Sequence, residues 1–560
     1  MNENLTEVVP PSVWWGWGDP ARSHGVPEHV AQMLADEFGA SLHEQPPAGL
    51  DDVRIPEPRL TDDALQALRA TGCEVLTDRE ERAAHSGGKS YPDLYRRRAG
   101  DCAEAPDAVV CPHDEAEVVA LLAACVERGI AVVPYGGGTS VVGGLKPLSG
   151  EHDAVISVDL RHLAEMTSIE PENHRATFGA GMRGPALEAA LQPHGFTLGH
   201  YPQSHQQASI GGYVATRSAG QASTGYGRSD ELVERVRVVT PQGVLDLGGS
   251  APASAAGPRL IDLVIGSEGT LGIITEVTMR IHRAPAHKRY AAWLFESFDI
   301  GREALRDAMH ECGPGQMPAV CRLSDEEETR VALAQIGGAK ASFVQRYAAL
   351  RGMANPAIGI FLWEGDEEST GFGKHRCESV FTRRGGVRLG PVAARSWEKG
   401  RFNAPYLRDH LMGRGMLVET LETAQSWSES MTTYRAVQAA IQGALGPDAS
   451  VQCHISHVYE TGASLYYTFL AKAEEDGIAQ WERVKKAASE AIVATRATIT
   501  HHHAVGTDHA PYLSAELTRA GRWVTETGGL ALDVLRAAKA TLDPAGILNP
   551  GKLMEGGARG

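Results

Sequence analysis

The sequence carries three consecutive histidines, His501, His502 and His503. An imidazole titrates near working pH, so it can move a proton, meet a phosphate oxygen or bind a metal. If this segment is extended, His501 and His503 point one way and His502 the other, so at most two face one ligand. Three readings are open: a metal set completed by His454 or His509, a solvated polar loop, or an acid/base and phosphate-contacting cluster beside a cofactor. No carboxylate or cysteine stands at ligand spacing and no His-Glu-x-x-His helix is present, so no metal is assigned and the cofactor-side cluster is favoured.

Other candidates surround this run. In the stretch from Ser456 to Phe469, polar and aromatic residues alternate, so strand parity puts Tyr466 and Tyr467 on opposite faces and one of them should face a cavity. Arg408, followed by Asp409, offers a planar fork for phosphate or carboxylate, and Arg322 near Asp325 is similar; a surface ion pair is the competing reading for both.

A second kind of chemistry lies in the glycine segments. Pro134, Tyr135, Gly136, Gly137, Gly138, Thr139 and Ser140 follow an apolar run; three glycines there allow close backbone approach, and their N–H groups with two hydroxyls can converge on phosphate. Gly137 is expected at positive φ. Two further glycine- and hydroxyl-rich segments follow. One runs through Gln203, Ser204 and Ser209 to Ala215, Thr216, Arg217 and Ser218; the other is Glu268, Gly269, Thr270, Leu271, Gly272, Ile273 and Ile274. Three such segments against β-rich sequence suit one extended cofactor gripped at several points. The Gly-x-Gly-x-x-Gly spacing of a dinucleotide fold is absent, and no helix opens after Gly144.

The elements that must position these residues read as α+β. Apolar strands are expected at 108–110, 131–133, 155–159 and 175–179, a helix at 115–127 capped by Asp114, and a hairpin at 236–240 and 244–247. A further antiparallel sheet with helices on one face is expected beyond 287, with strands at 291–295, 357–363 and 465–469 and helices at 425–445 and 477–495. Four segments result: an N-terminal helical region at 1–103, anchored by its Trp-Gly-rich patch, a cofactor-binding domain at 104–286, a substrate cap at 287–500 and a C-terminal segment at 501–560 returning to the cofactor.

Composition narrows the partners. With 70 acidic against 53 basic residues the net charge is −17, which disfavours nucleic acid. No apolar run is long enough to span a membrane and no secretory leader is visible, so a cytoplasmic protein is expected. The eight cysteines form no Cys-x-x-Cys pair and are expected reduced and buried.

The order of the glycine segments resembles the FAD-binding, PCMH-type domain of the vanillyl-alcohol-oxidase superfamily. Taken with His501-His502-His503-x-Val505-Gly506, the Leu465-Tyr466 and Tyr406-Leu407-Arg408-Asp409 stretches, Arg322 and the opening Trp15-Gly16-Trp17-Gly18, the chain resembles the alkyldihydroxyacetonephosphate synthases in order over nearly its whole length. The resemblance implies a two-subdomain FAD domain plus an antiparallel cap. It implies a flavoprotein transferase of ether lipid metabolism that exchanges the acyl chain of acyl-dihydroxyacetone phosphate for a fatty alcohol through a flavin N5 adduct. By matched position, Tyr466 would be the acid/base group and Arg408 the phosphate contact; His501, His502, His503 and Arg322 would line the catalytic pocket. The FAD would be held by 134–140, 203–209, 215–218 and 268–274. A homodimer and peripheral membrane contact are also implied. Ala504 departs from the glycine of eukaryotic members, and Ala558-Arg559-Gly560 is no peroxisomal signal. The ending Asp543-Pro544 to Asn549-Pro550-Gly551 looks like that of bacterial FAD-linked oxidoreductases, so a dehydrogenase of a 2-hydroxy acid such as D-lactate or glycolate is the alternative. That branch carries a His-Ala-Gly-Asp-Gly-Asn motif where this chain has Cys453-His454-Ile455-Ser456-His457.

Overall fold

The computed structural model of the chain describes residues 5–249, 251–518 and 529–554; the C-terminal tripeptide discussed above lies outside them. The first sheet has the order Glu74–Leu76, Ala108–Cys111, Ala154–Asp159, Ile130–Tyr135. Its last three strands run parallel. Parallel strands are covered on both faces, which is why they read as unbroken apolar runs: Val109, Val110, Val132, Val133 and Ile156 are fully buried. The crossover helix Glu115–Arg128 begins where Asp114 accepts the Glu117 N–H and stops at Gly129, φ 60°. Its Val118, Leu121, Leu122 and Cys125 form the buried stripe. Strand Ile130–Tyr135 then ends in the glycine run, delivering it at the sheet's edge.

A five-stranded antiparallel sheet follows, in the order Met166–Glu170, Arg175–Gly179, Ile273–Arg280, Val233–Thr240, Gly243–Gly248. Both sheets share one apolar core with the crossover helix.

Beyond Arg283 the chain enters a seven-stranded antiparallel sheet. Its order is Val387–Gly390, His287–Phe295, Ala357–Gly365, Val320–Ser324, Ser450–Ile455, Gly462–Lys472, Met416–Ser426. Here the helix expected from 425 starts only at Ser430, and Gln425 belongs to the edge strand Met416–Ser426, paired along its length with Gly462–Lys472. Buried Glu419 and Glu422 occupy positions that an ordinary strand would fill with apolar side chains, so the alternation that marks a strand is interrupted.

Both ends of the described chain fold back onto the body. Near the start, Trp14 and Trp17 are buried, and the Trp17 N–H donates to Asp409 at 2.5 Å. Gly18 at φ 56° packs so closely that a Cβ would lie 2.3 Å from the Tyr406 hydroxyl. Near the end, Val132 donates its N–H to Ile547 at 2.8 Å and accepts one from Asn549 at 2.7 Å. Residues 547–549 thereby extend the first sheet past strand Ile130–Tyr135.

Candidate active site

A cavity of about 870 Å³ lies between the first two sheets and the seven-stranded sheet. Residues 134–140 form one wall. The N–H groups of Gly136, Gly137, Gly138, Thr139 and Ser140 have no protein acceptor among the described residues, so five adjacent donors are left unpaired along this wall. Such a nest suits anionic oxygens. Gly138 has the positive φ, 69°. Gly137 does not, contrary to expectation; it is glycine because a Cβ there would lie 1.9 Å from the Gln207 carbonyl oxygen.

Gln203, Ser204, Ser209, Ala215, Thr216, Ser218, Glu268, Gly269, Gly272 and Ile274 also line the cavity. Four of the individually expected residues of these segments do not. Arg217 turns outward to pair with Asp230 at 2.8 Å. Thr270 turns its hydroxyl to the Ser267 carbonyl, and Leu271 and Ile273 pack into apolar clusters. Their alternate strand neighbours, Gly272 and Ile274, are the ones that face the cavity.

Opposite the cradle stand the histidines. Their segment is bent, not extended, because the buried carboxylate of Glu422 accepts the N–H groups of His501, His502 and His503 at 2.6, 2.9 and 2.8 Å, plus the Thr500 hydroxyl at 2.8 Å. Strict alternation therefore fails: His502 and His503 both line the cavity, while His501 points behind it to the Tyr459 hydroxyl at 2.6 Å and the His502 Nδ1 at 2.9 Å. Glu268 holds the next turn, taking the Val505 and Gly506 N–H groups at 2.8 and 2.7 Å. Burial raises the Glu268 carboxyl to about 7 despite these two bonds.

Glu422, His501 and His502 bring possible metal-ligand atoms within 4.8 Å of one another, but the Glu422 oxygens already take four donors. His454 and His509 do not complete such a set: His509 bonds the Ala504 carbonyl, and His454 stacks on Tyr466.

Tyr466, not Tyr467, faces the cavity; Tyr467 is fully buried and donates to the Tyr434 carbonyl. The Tyr466 ring stacks on His454 at 4.8 Å and on His502 at 6.0 Å, and meets His503 edge-on at 5.5 Å. Arg322 closes this stack, its Nη1 and Nη2 lying 3.0 and 3.1 Å from the His454 ring nitrogens, while Glu328 neutralises it at 2.7 Å. Burial raises the Tyr466 phenol to about 12. Burial, partly offset by Glu422, lowers the His502 imidazole to about 3, and burial likewise lowers His503. At neutral pH the site therefore holds a protonated phenol against uncharged imidazoles. Burial works against the Glu422 charge, yet its carboxyl sits well below its usual range under the influence of the histidines and the amide bonds. With neutral rings, the hydrogen bonds are what keep it ionised.

Arg408 lines the cavity as expected, with Nη1 donating to the Lys89 carbonyl at 2.7 Å. Sequence reasoning passed over Lys89 and Glu419, weighed His454 only as a metal ligand and gave His457 no role, and all four line the same space. Lys89 had one signal, the Gly87-Gly88-Lys89-Ser90 run.

This geometry can be compared with known proteins. The family described as FAD binding domain matches residues 106–248, and that described as FAD linked oxidases, C-terminal domain, matches 284–553. The alkyldihydroxyacetonephosphate synthase of Trypanosoma brucei brucei is 31% identical, over 98% of this chain and 93% of that protein. The chain belongs to the alkyldihydroxyacetonephosphate synthase family. A solved structure of an alkyldihydroxyacetonephosphate synthase aligns with TM-score 0.81 and 27% identity, over 98% of this chain and 99% of the other. The glycolate oxidase subunit GlcD of Bacillus subtilis stands further off, at 26% over 81% of this chain and 90% of its own. As in this synthase family, the chain is a flavoenzyme of vanillyl-alcohol-oxidase type with FAD as cofactor. The five free amides of the cradle fit that cofactor's diphosphate.

Two outcomes follow. Gly137→Val is expected to abolish FAD retention, read from visible absorption of the purified protein, because the branched side chain drives the cradle off Gln207. The His502 and His457 rings, both lowered to about 3 by burial, are expected to stay neutral at pH 5.5, which ring 15N shifts report. Free imidazole has a pKa near 6.5, so the unfolded chain takes up protons that the folded one refuses. The rings therefore cost no stability above pH 6.5, and stability falls as pH drops from there toward 3.

Proposed function

We propose that this chain exchanges the acyl chain of acyl-dihydroxyacetone phosphate for a fatty alcohol, forming an ether lipid precursor. The observation that carries this is the single cavity joining the anion cradle, Arg408, the Tyr466–His502 pair and an apolar lobe of Val331, Leu333, Ile358, Ile360, Leu411 and Val418. A hydroxy acid has no use for that lobe, whereas a long chain does. On this reading residues 134–140, 203–209, 215–218 and 268–274 hold the FAD between a binding domain at 104–286 and a cap at 287–500, and 501–560 returns to the flavin.

The exchange breaks the bond from C1 of the ketone phosphate to the acyl carboxylate, which leaves as a fatty acid, and forms a C1–O bond to the alcohol, with no net redox change. When bound, FAD supplies a ring that can accept and return an electron pair. The protein supplies proton handling. A neutral His502 can take a proton from the carbon beside the carbonyl or from the incoming alcohol, and the Tyr466 phenol, protonated well past neutral pH, can donate one to the oxygen that gains charge. Glu422 fixes the backbone under both cavity histidines, and the His454–Arg322–Glu328 stack fixes the Tyr466 ring. Arg408 pairs with the phosphate, setting C1 at a constant distance from the acid/base pair.

Among the described residues no helix is long and apolar enough to cross a membrane. Helix Gly338–Leu350 nevertheless exposes Phe343 and Leu350, which supports peripheral membrane contact for loading a lipid; a homodimer belongs to the same reading. Phe343→Glu with Leu350→Glu is expected to abolish co-sedimentation with phosphatidylcholine vesicles while leaving the sedimentation velocity of the dimer unchanged.

The direct test is incubation of the holoenzyme with palmitoyl-dihydroxyacetone phosphate and hexadecanol. Release of palmitate with ether product is expected; Tyr466→Phe and His502→Ala should keep FAD and lower turnover by about 10²–10⁴-fold. A holoenzyme inert to that pair, but bleached anaerobically by D-lactate or glycolate, would move the function to hydroxy-acid oxidation.

A further inference from the structure

Outside the cavity lining, three strand ends of the first sheet bring together side chains of mixed chemistry. Glu74 opens strand Glu74–Leu76 and lies directly opposite Cys111, the last residue of Ala108–Cys111, so both side chains stand on one face. His162 follows just past Ala154–Asp159, the next strand of the sheet. A carboxylate oxygen of Glu74, the Cys111 sulfur and a ring nitrogen of His162 all lie within 4.8 Å of one another. The Glu74 Oε2 and His162 Nε2 are 3.1 Å apart. No spacing in the sequence announces this group, because its members span 88 positions and meet only through strand pairing.

The plainer reading is a surface ion pair beside a cysteine that packs as a small apolar residue. The surroundings of Cys111 argue against it. All eight cysteines are buried and seven belong to apolar clusters, whereas Cys111 belongs to none. The charges that act most on its thiol are three carboxylates, Asp159, Glu74 and Glu81, and one guanidinium, Arg161. Arg161 is already engaged by Glu81 at 2.9 Å and Asp159 at 2.7 Å, so the balance favours a cation. Behind His162 the His113 ring lies nearly parallel at 4.6 Å, itself held by Glu117 at 3.0 Å, and this fixes the plane of the His162 imidazole. The side chains of His162 and Glu74 keep 35% and 45% of their exposure, which gives an ion a path in from solvent.

One thiolate, one imidazole and one carboxylate are ligands that Zn²⁺ accepts, with water in the fourth tetrahedral position; calcium and magnesium, which take oxygen, match poorly. We propose that Glu74, Cys111 and His162 bind one zinc ion at the edge of the first sheet, outside the active-site cavity. Strand Glu74–Leu76 pairs with its neighbour over only three residues, so the ion acts as a staple that ties this short edge strand to the two parallel strands beside it. Burial pushes the Cys111 thiol up to about 12, so the incoming cation displaces that proton to solvent.

The test treats the FAD-loaded protein with chelator, titrates it with Zn²⁺ against a chromophoric competitor and reads the bound metal by zinc X-ray absorption. One zinc per chain with a single sulfur neighbour at about 2.3 Å is expected. Cys111→Ala should lose that sulfur neighbour. His162→Gln, at a part-exposed position that leaves the thiol in place, should weaken zinc about tenfold or more, and both variants should keep FAD. Cys312→Ala, which alters a thiol inside an apolar cluster, should bind zinc as the wild type does. Zinc is also expected to raise the melting temperature of the wild type, and to do so much less in His162→Gln. Wild-type zinc affinity in both Cys111→Ala and His162→Gln would overturn the site, as would failure of the wild type to bind zinc. A bound zinc with only nitrogen and oxygen neighbours would overturn it too, since that is the signature of the sulfur-free Glu422, His501 and His502 group.

Discussion

Two buried carboxylates hold the site together. Glu422, from an edge strand of the cap sheet, and Glu268, from the FAD-side domain, between them accept five backbone N–H groups of the turn at 501–506. Backbone amides of one short turn are thus anchored at once to both halves of the molecule. An ordinary loop would satisfy those groups with water, and its side chains would sample many rotamers. Here the turn is as fixed as a strand, and His502 and His503 inherit that rigidity. Preorganisation of this kind is what proton transfer at a set distance requires.

The same economy runs through the stack of Arg322, His454, Tyr466 and His502. Each ring is held by its neighbour's face, and the one formal cation in the stack is matched by Glu328. The stack is consequently close to neutral, and a neutral, water-poor environment lets a phenol and an imidazole differ widely in proton affinity without being charged. Arg408 adds a second guanidinium to the cavity wall, while burial and the nearby Arg97 push the Lys89 ammonium well below its usual range.

Much of this was legible in the sequence, for identifiable reasons. The helix capped by Asp114 carries its geometry in residue type alone, the glycine run at 136–138 was legible as a place of close approach though not in which glycine takes positive φ, and the β-strand parity of Tyr466 and Tyr467 leaves only one of them available to the cavity. The histidine run was legible as chemistry but not as conformation, because its bend is imposed by Glu422, some 80 positions earlier in the chain. Glu422 itself was hidden: with charged residues at core positions its strand Met416–Ser426 carries no clean alternation, and no element was expected over 416–424. Arg217 shows the opposite failure. It lies inside a segment that lines the cavity, yet its side chain finds Asp230 outside. Local pattern indicates which backbone passes a site; long-range pairing decides which side chains enter it.

The end of the described chain adds a constraint of a different sort. Asn549 bonds the Gly144 and Glu268 carbonyls and pairs through its backbone with Val132, so it buttresses the cofactor cradle across a sequence separation of 405 residues. A nascent chain on the ribosome would present the glycine cradle long before this buttress is made. The contact that braces the glycine run is thus supplied from far along the chain, and a chain lacking residues 547–549 would hold every residue of that run without the backbone pairing that supports it.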